Sequence, residues 1–549
     1  MNMILHGTLD ADIRNEDTLA SPQHREGGEL MRFDRVITNP PFSQNYSRDG
    51  IPFAERFAYG WCPESGKKAD LMFVQHMLAV LRPGGMVVTV MPHGVLFRGG
   101  AEREIRKGFL KDDLLEAVIG LGANLFYGTG IPACILVFRA KGSKPPERRG
   151  KVLFINAHAE YREGRAQNYL DPEHAERIVS AFEHFEDIPA FASVVSHKVL
   201  AENDYNLNIR RYADNAPPPE PHDVRAHLLG GIPKAEVEGK RGLFQAHGFG
   251  PETLLEEKDG AYLRFMPVVK DKSDIKRWLD EDQGVQAREA ELAQAFDAWW
   301  GEAEQNLRGL ANRQGLMKLR RTLLGSFTAA LTPIGLLDRF KVAGVVARWW
   351  SEAQFDLKVL SVRGFEGVVE GWVTTITTAL EDENDKSNPL DHKLVKRLLP
   401  EFIEEIAEVE ARVVELDSTI KAAEATGGEE DEVAEESEEA LSEEEIRALK
   451  RERTAAKRKL RELKGSIAGR LKKAHAALGA KEAERLVVDI LEADLRQESD
   501  RYVAAHRQAV VAAVENWWEK YRVSLKEIEG ERDAARFRLA GFIKELGYE

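Results

Sequence analysis

At 549 residues the chain is long enough for about three domains, and a composition 43% hydrophobic and 31% charged excludes a fibrous or wholly disordered protein. No apolar run approaches the ~20 residues of a membrane span, Met1–His6 lacks a basic export signal, and two cysteines, Cys62 and Cys134, cannot make a disulfide framework, so a cytoplasmic setting without membrane contact is expected. Lys and Arg number 77 against 92 Asp and Glu, a net charge of −15, so if this chain acts on duplex DNA a partner is expected to supply most of the basic surface.

Residues 1–214 read as alternating strands and helices. Met1 to about Gly7 suits the end of a helix, and Asp10–Ile13 a strand with Asp17-Thr18-Leu19 in its exit loop. The run Phe33-Asp34-Arg35-Val36-Ile37-Thr38 predicts a strand, and Asn39-Pro40-Pro41-Phe42 follows it directly. The paired prolines fix φ and stiffen that turn. An Asn side-chain oxygen and a proline carbonyl can together accept both hydrogens of an exocyclic NH2, and Phe42 offers a face to a base taken out of the duplex stack. The plainer alternative is a rigid turn after a buried strand. Apolar positions Leu71, Phe73, Val74, Met77, Leu78 and Leu81 predict a helix over 69–81, ended by Arg82-Pro83-Gly84-Gly85. Met86–Met91, Ala133–Phe138 and Val152–Asn156 read as buried strands, and the alternation predicts a doubly wound, largely parallel sheet.

Several other patterns point nowhere specific. Gly60 and Gly66-Lys67-Lys68 miss phosphate-loop spacing by one residue, and no Ser or Thr follows Lys67. Gly120-Leu121-Gly122 and Gly128-Thr129-Gly130 are isolated pairs, weak as nucleotide-binding signals. No GxSxG, CxxC or HExxH is present, and the histidines show no metal-ligand spacing.

Beyond Pro217-Pro218-Pro219, a linker or bracing strap, helices are expected to dominate: an accessory region over 215–425, an acidic disordered tether over 426–446 and a helical, coiled-coil, subunit-docking region over 447–549. The basic stretch from Lys450 to Lys464 admits a DNA-contacting helix or a coiled-coil face pairing with nearby acids. Ala480–Leu546 predicts a pair of long amphipathic helices. Trp517, Trp518 and Tyr521 there would anchor a partner or, alternatively, pack back on the chain's own helical domain.

Asp17-Thr18-Leu19, Phe33–Phe42, Lys67-Lys68-Ala69-Asp70-Leu71, Phe73–Leu78, Leu81–Gly85, Pro92–Gly100, Asn124–Ala133 and Asn203–Asn208 together resemble the modification (M) subunit of type I restriction-modification systems. The resemblance returns at Trp518–Tyr521 and Glu545–Tyr548. It implies an α/β fold: an incomplete class I (Rossmann-like) methyltransferase sheet over 1–214, then a mostly α-helical C-terminal region with coiled-coil character. It also implies transfer of methyl from S-adenosyl-L-methionine to N6 of adenine in duplex DNA. The implied partners are a second M subunit, a specificity (S) subunit that reads the sequence and a restriction (R) subunit. Asn39, Pro40, Pro41 and Phe42 would form the target-adenine loop. Asp17 would lie near the adenine of the methyl donor or the target amine, against the plainer reading of a turn or N-cap aspartate. The family's glycine-rich donor loop has no counterpart here, so the sequence is expected to begin inside the domain. A catalytically inactive remnant acting in assembly is the alternative function.

Overall fold

Strands rich in Val, Ile, Leu and Phe, with turn residues between them, build a six-stranded sheet. Its strands are β1 Phe33–Thr38, β2 Leu81–Pro92, β3 Leu115–Leu121, β4 Ala133–Arg139, β5 Lys151–Ala157 and β6 Ala192–Ser196, in spatial order β1-β2-β4-β3-β5-β6. The computed structural model describes residues 3, 10–66, 68–127, 130–216, 220–310, 315–381, 388–426 and 442–548. The chain divides into two units, residues 1–236 with 523–549, and residues 237–522.

In the first unit β1 pairs parallel with β2, and β3 with β5, while β4 runs antiparallel between β2 and β3 and β6 antiparallel to β5. Strands β1, β2, β3 and β5 therefore all end on one rim of the sheet. The interior strands are buried on both faces: Phe154 and Val152 pack with Phe109 and Phe138 on one side, Leu153 and Ile155 with Ile178 and Ala181 on the other. Helix α1, Asp70–Ala79, joins β1 to β2; α2 is Ala101–Lys111 and α3 is Pro172–His184. Strand β1 stands at the sheet's edge, and its Ile37 is 81% exposed.

Several sequence expectations need correction. Asp10–Ile13 is not a strand, and its charged neighbours Asp12 and Arg14 pair locally at 2.6 Å instead of alternating with apolar residues. Arg82–Gly85 lies within β2 rather than between elements, because Gly84 takes φ +79° and lets the strand bend there without stopping. Strands β3 and β6 were not foreseen. The expected helix at Met1–Gly7, the proline run 217–219 and residues 427–441 of the acidic tether lie outside the described residues, apart from residue 3.

The second unit is helical, apart from a hairpin of β7 Leu255–Asp259 and β8 Tyr262–Phe265. Its long helices are α4 Gln283–Leu310, α5 Leu316–Leu331, α6 Arg339–Glu381, α7 Pro400–Thr426, α8 Glu443–Ala476 and α9 Ala480–Tyr521. The tryptophan pairs are core. Three of the indole N–H groups find acceptors there: Trp349 donates to the Leu491 carbonyl at 3.0 Å, Trp299 to Ser326 Oγ at 2.9 Å and Trp372 to Asp356 Oδ1 at 2.8 Å. The basic stretch on α8 faces the acids of α7. Arg453 and Lys457 reach Asp417, Lys464 reaches Glu410 and Lys459 reaches Glu405, so this face is an ion-paired helical hairpin. Helix α8 starts at Glu443 behind a Ser442–Glu445 capping box, inside the span expected to be tether.

The aromatic anchors expected on the last helices turn inward. Trp517, 2% exposed, meets Phe244 edge-on at 5.6 Å; Trp518 meets Phe265 at 5.0 Å; Tyr521 is 3% exposed. They belong to the helical core. Helix α10, Leu525–Glu545, is different: no residue of it is buried, and it touches the first unit's short helix Val224–Leu229.

Truncation should separate these roles. A chain ending at Arg522 should keep the helical unit's melting temperature within ~2 °C, since no buried apolar side chain is lost. Ending at Ser499 removes the buried side chains of Val510, Val511, Val514 and Trp517, on the order of 10 kcal/mol of apolar burial, comparable to a domain's whole stability. Calorimetry of both truncations checks this; equal transitions would contradict the packing described.

Candidate active site

The rim where β1, β2, β3 and β5 end gathers four loops, and four of the five residues singled out from sequence, Asn39 to Phe42, lie in the first. Thr38, the last residue of β1, donates from Oγ1 to Thr89 Oγ1 of β2 at 2.7 Å, which holds the edge strand in register at the point where the loop leaves it. Asn39 and Pro41 are exposed; Pro40 and Phe42 are half-buried. Asn39 thus presents its amide to solvent from a stiff Pro-Pro turn. The loop's far end is pinned. The Ser43 amide donates to Asp70 Oδ1 at 2.9 Å, and the Ala69 amide donates to the Gln44 carbonyl at 3.0 Å. Ser43 takes φ +55°, a left-handed conformation rare for a residue with a side chain. Asp70 is the first residue of α1, where a carboxylate also meets the positive end of the helix dipole.

The second loop runs from His93 through the helical turn Gly94–Phe97 to Arg98. Arg98 Nη1 donates to Asp70 Oδ2 at 3.1 Å and to Glu102 Oε1 at 3.2 Å, both carboxylates being 1% exposed. Arg106 donates to the Val95 carbonyl at 3.1 Å. Asp70 therefore touches the loops after both β1 and β2.

The ends of β2 and β5 meet through histidines. His93 Nε2 is 3.1 Å from the Ala133 carbonyl, and its ring lies edge-on to His158 at 5.2 Å. His158 Nδ1 is 2.6 Å from Asn156 Oδ1, and Asn156 Nδ2 donates to the Ala213 carbonyl at 2.7 Å. Burial lowers His93 below the usual histidine range and, together with the His93 and Arg210 charges, pushes His158 down to about 4. Burial with the Arg56 guanidinium does the same to His76, down to about 4. Gly120 and Gly122 serve packing: a Cβ on Gly120 would meet His158 at 2.8 Å, and on Gly122 would meet Tyr161 at 2.5 Å. After β3 the rim carries Tyr127, 96% exposed, and Ile131, 67% exposed.

Asp17 lies elsewhere. Its Oδ1 accepts from the Leu19 and Ala20 amides at 2.8 and 2.9 Å, a side-chain-closed turn. Arg56 ties that turn to α1 by donating to the Thr18 and Leu19 carbonyls while contacting His76 Nδ1 at 2.8 Å. These contacts fall on the second half of α1, whereas the loop is held at its first residue. The nearest cavity, ≈ 140 Å³, is lined by Thr18, His24, Phe33, His76 and Val80, at the start of β1 rather than its end.

The stretch that carries these loops is similar to known proteins. A family model described as N-6 DNA Methylase matches residues 1–220. The relatives include the type I restriction enzyme MjaVII methylase subunit of Methanocaldococcus jannaschii, 36% identical over 42% of this chain and 40% of its own length. The MpnII methylase subunit of Mycoplasma pneumoniae is 31% identical over 41% of this chain and 42% of its length. Among solved structures, the type I methyltransferase subunit from Streptococcus thermophilus is 38% identical, covering 39% of this chain and 44% of that one, with a TM-score of 0.36. The chain thus spans about two-fifths of the curated relatives it matches. The loop Asn39–Phe42, its anchor Asp70 and the rim histidines all lie inside the N-6 DNA methylase segment. Asp70, His93 and Arg98 lie in segments that carry the resemblance but have no role assigned from sequence, and Ser43 and His158 are not singled out there. The one available signal was a carboxylate opening the helix that returns from the loop.

Both histidines near 4 titrate well below a free imidazole, so the unfolded chain takes up their protons first. Their contribution is complete above pH 6.5 and declines as pH falls from about 6.5 to about 4. Denaturant titrations of the wild type should show that decline, and His158→Asn should lessen it. An unchanged pH slope in the variant would contradict the buried, neutral His158.

Proposed function

We propose that this chain is the modification subunit of a type I restriction-modification system and methylates N6 of adenine in DNA. The observation that carries this is Asn39-Pro40-Pro41-Phe42 at the C-terminal end of β1, rigidly held yet with Asn39 exposed, within a segment that matches the N-6 DNA methylase family. An aromatic amine is a poor nucleophile because its lone pair is delocalised into the ring. Two acceptors on its hydrogens, the Asn39 side-chain oxygen and the Pro40 carbonyl, localise that lone pair on nitrogen. Phe42 stacks on the flipped base. No strong base is needed, since the acceptors act by charge stabilisation where positive charge develops on nitrogen.

S-adenosyl-L-methionine would supply the methyl group in such a reaction, and its fit to the described residues is poor. The cavity beside Asp17 holds ≈ 140 Å³, below the ~300 Å³ of ordinary small-molecule sites. It lies at Phe33, a six-residue strand of roughly 20 Å from Asn39. Asp17 Oδ1 is already shared by two amides, so only Oδ2 could serve the donor contact proposed for this residue. These observations favour a second reading, in which the chain by itself assembles but does not turn over.

Partner binding is proposed for α10. It and the residues just after it expose Phe537, Leu539, Phe542, Leu546 and Tyr548 at 83, 59, 61, 72 and 78%, while Trp517, Trp518 and Tyr521 are taken up internally. We assign α10 as the contact for the specificity subunit, which with the second modification subunit and the restriction subunit would complete the enzyme on duplex DNA. Through that subunit the acidic chain would gain its grip on phosphate.

In the complex assembled with its specificity subunit, Asn39→Ala should lower methyl transfer about 100-fold or more without loss of assembly. Phe42→Ala should weaken target binding by ~1–3 kcal/mol. Radiolabelled methyl incorporation is the readout, and wild-type turnover by Asn39→Ala would remove this loop from the mechanism. Calorimetric titration of the isolated chain should give donor affinity at least roughly tenfold below that of a full-length relative, about 1.4 kcal/mol. Tight stoichiometric binding would instead reveal a donor site formed by this chain alone.

A further inference from the structure

The carboxylates Asp70 and Glu102 are each 1% exposed and share one guanidinium nitrogen, Nη1 of Arg98. A buried carboxylate must use its remaining lone pairs on hydrogen-bond donors or lose stability. For Asp70 that donor is the Ser43 amide, one residue beyond Phe42. The bond holds Ser43 at φ +55°, a conformation an L-residue keeps only where its surroundings impose it. The same carboxylate reaches, through Arg98, the segment that follows β2, and that segment is tied down by Arg106 at Val95 and by the Leu207 amide at the Leu96 carbonyl. One side chain thus links the loops leaving two adjacent parallel strands.

We propose that Asp70 is a positioning residue for methyl transfer: by holding the Ser43 amide and the Arg98 guanidinium together, it fixes the Asn39–Phe42 loop against the 93–98 segment and sets where the Asn39 and Pro40 acceptors point. Asp70 never touches the base. Its effect passes through Ser43 to a turn already stiffened by two prolines, so a small rotation at Ser43 moves the whole acceptor pair. The inference rests on the methyltransferase reading for its functional half and on geometry alone for its structural half.

Asp70→Ala leaves Arg98 paired with Glu102, so no buried charge loses its partner and the sheet should stay folded. Asp70→Asn restores an acceptor for the Ser43 amide but turns an amide donor toward Arg98. Hydrogen exchange of the full chain, read at residues 39–46 and at Val87–Met91 as an internal standard for folding, is the first measurement. Expected is Ser43 exchange at least tenfold faster in Asp70→Ala, unchanged exchange along Val87–Met91, and recovery of half or more of the Ser43 protection in Asp70→Asn. The second measurement is methylation by the complex with its specificity subunit. Asp70→Ala should lower kcat at least tenfold while leaving KM for the donor within twofold, and Asp70→Asn should recover part of kcat. Unchanged Ser43 exchange in Asp70→Ala, or rapid exchange with undiminished kcat, overturns the proposal. An inactive wild-type complex would bring down the methyltransferase reading instead, and the exchange data would still decide whether Asp70 holds the loop. Should Asp70→Ala unfold at Val87–Met91, Arg98→Lys decides: it keeps the charge between the carboxylates and should keep Ser43 protected, and loss of protection in a folded Arg98→Lys would show that Arg98, not Asp70, holds the loop.

Discussion

Strand β1 is paired to β2 on one side and forms the outer edge of the sheet among the described residues, yet it carries the candidate loop at its end. An edge strand is the least constrained part of a sheet, because half of its backbone groups lack a neighbouring strand. The structure compensates at the last residue. Thr38 is tied to Thr89, and the chain is caught again five residues later at Asp70. Between those two fixed points lie Asn39, two prolines and Phe42, with little freedom left in φ. The turn can therefore be exposed and still be rigid, which is what the proposed acceptor hydrogen bonds to a flipped amine would require.

The buried rim behind the loop uses uncharged imidazoles where charge would be costly. His93 and His158 sit edge to edge against Asn156, and burial keeps both below the usual histidine range. Their ring contacts explain why β3 ends in Gly120-Leu121-Gly122: side chains there would occupy the space of His158 and Tyr161. A glycine pair that looks like a weak nucleotide signal is a packing requirement. In the helical unit the basic stretch of α8 has a comparable outcome, since its cations are matched by acids on α7. The chain's net charge of −15 is itself unfavourable for holding a phosphate backbone.

Legibility followed local physics. The apolar spacing over 69–81 and the strands at 86–91, 133–138 and 152–156 were readable because periodicity and burial agree there, and the run at 33–38 because its residues favour strand although none of them is buried. Strand β3 was not, because Leu115-Glu116 interrupts the apolar run with a charge; Glu116 is 0% exposed and satisfied by Arg139 and Arg148, partners distant in sequence. Asn39–Phe42 was legible because its chemistry is contiguous. Asp70, Arg98, His93 and His158 act through contacts that exist only once the strands align. The inward turn of Trp517 and Trp518 was decided by Phe244 and Phe265, about 270 and 250 residues earlier, which no helical pattern reveals.

The central claim, that a DNA base enters the loop at Asn39–Phe42, is tested most directly by photo-cross-linking. A duplex carrying 5-iodouracil in place of the target adenine would be irradiated with the complex of this chain and its specificity subunit, and the labelled peptides mapped by mass spectrometry. The account predicts a dominant cross-link to the peptide containing Phe42, lost with an iodouracil placed outside the recognition site. A dominant cross-link to residues 450–464 of α8, or one equally strong at any position in the duplex, would contradict it.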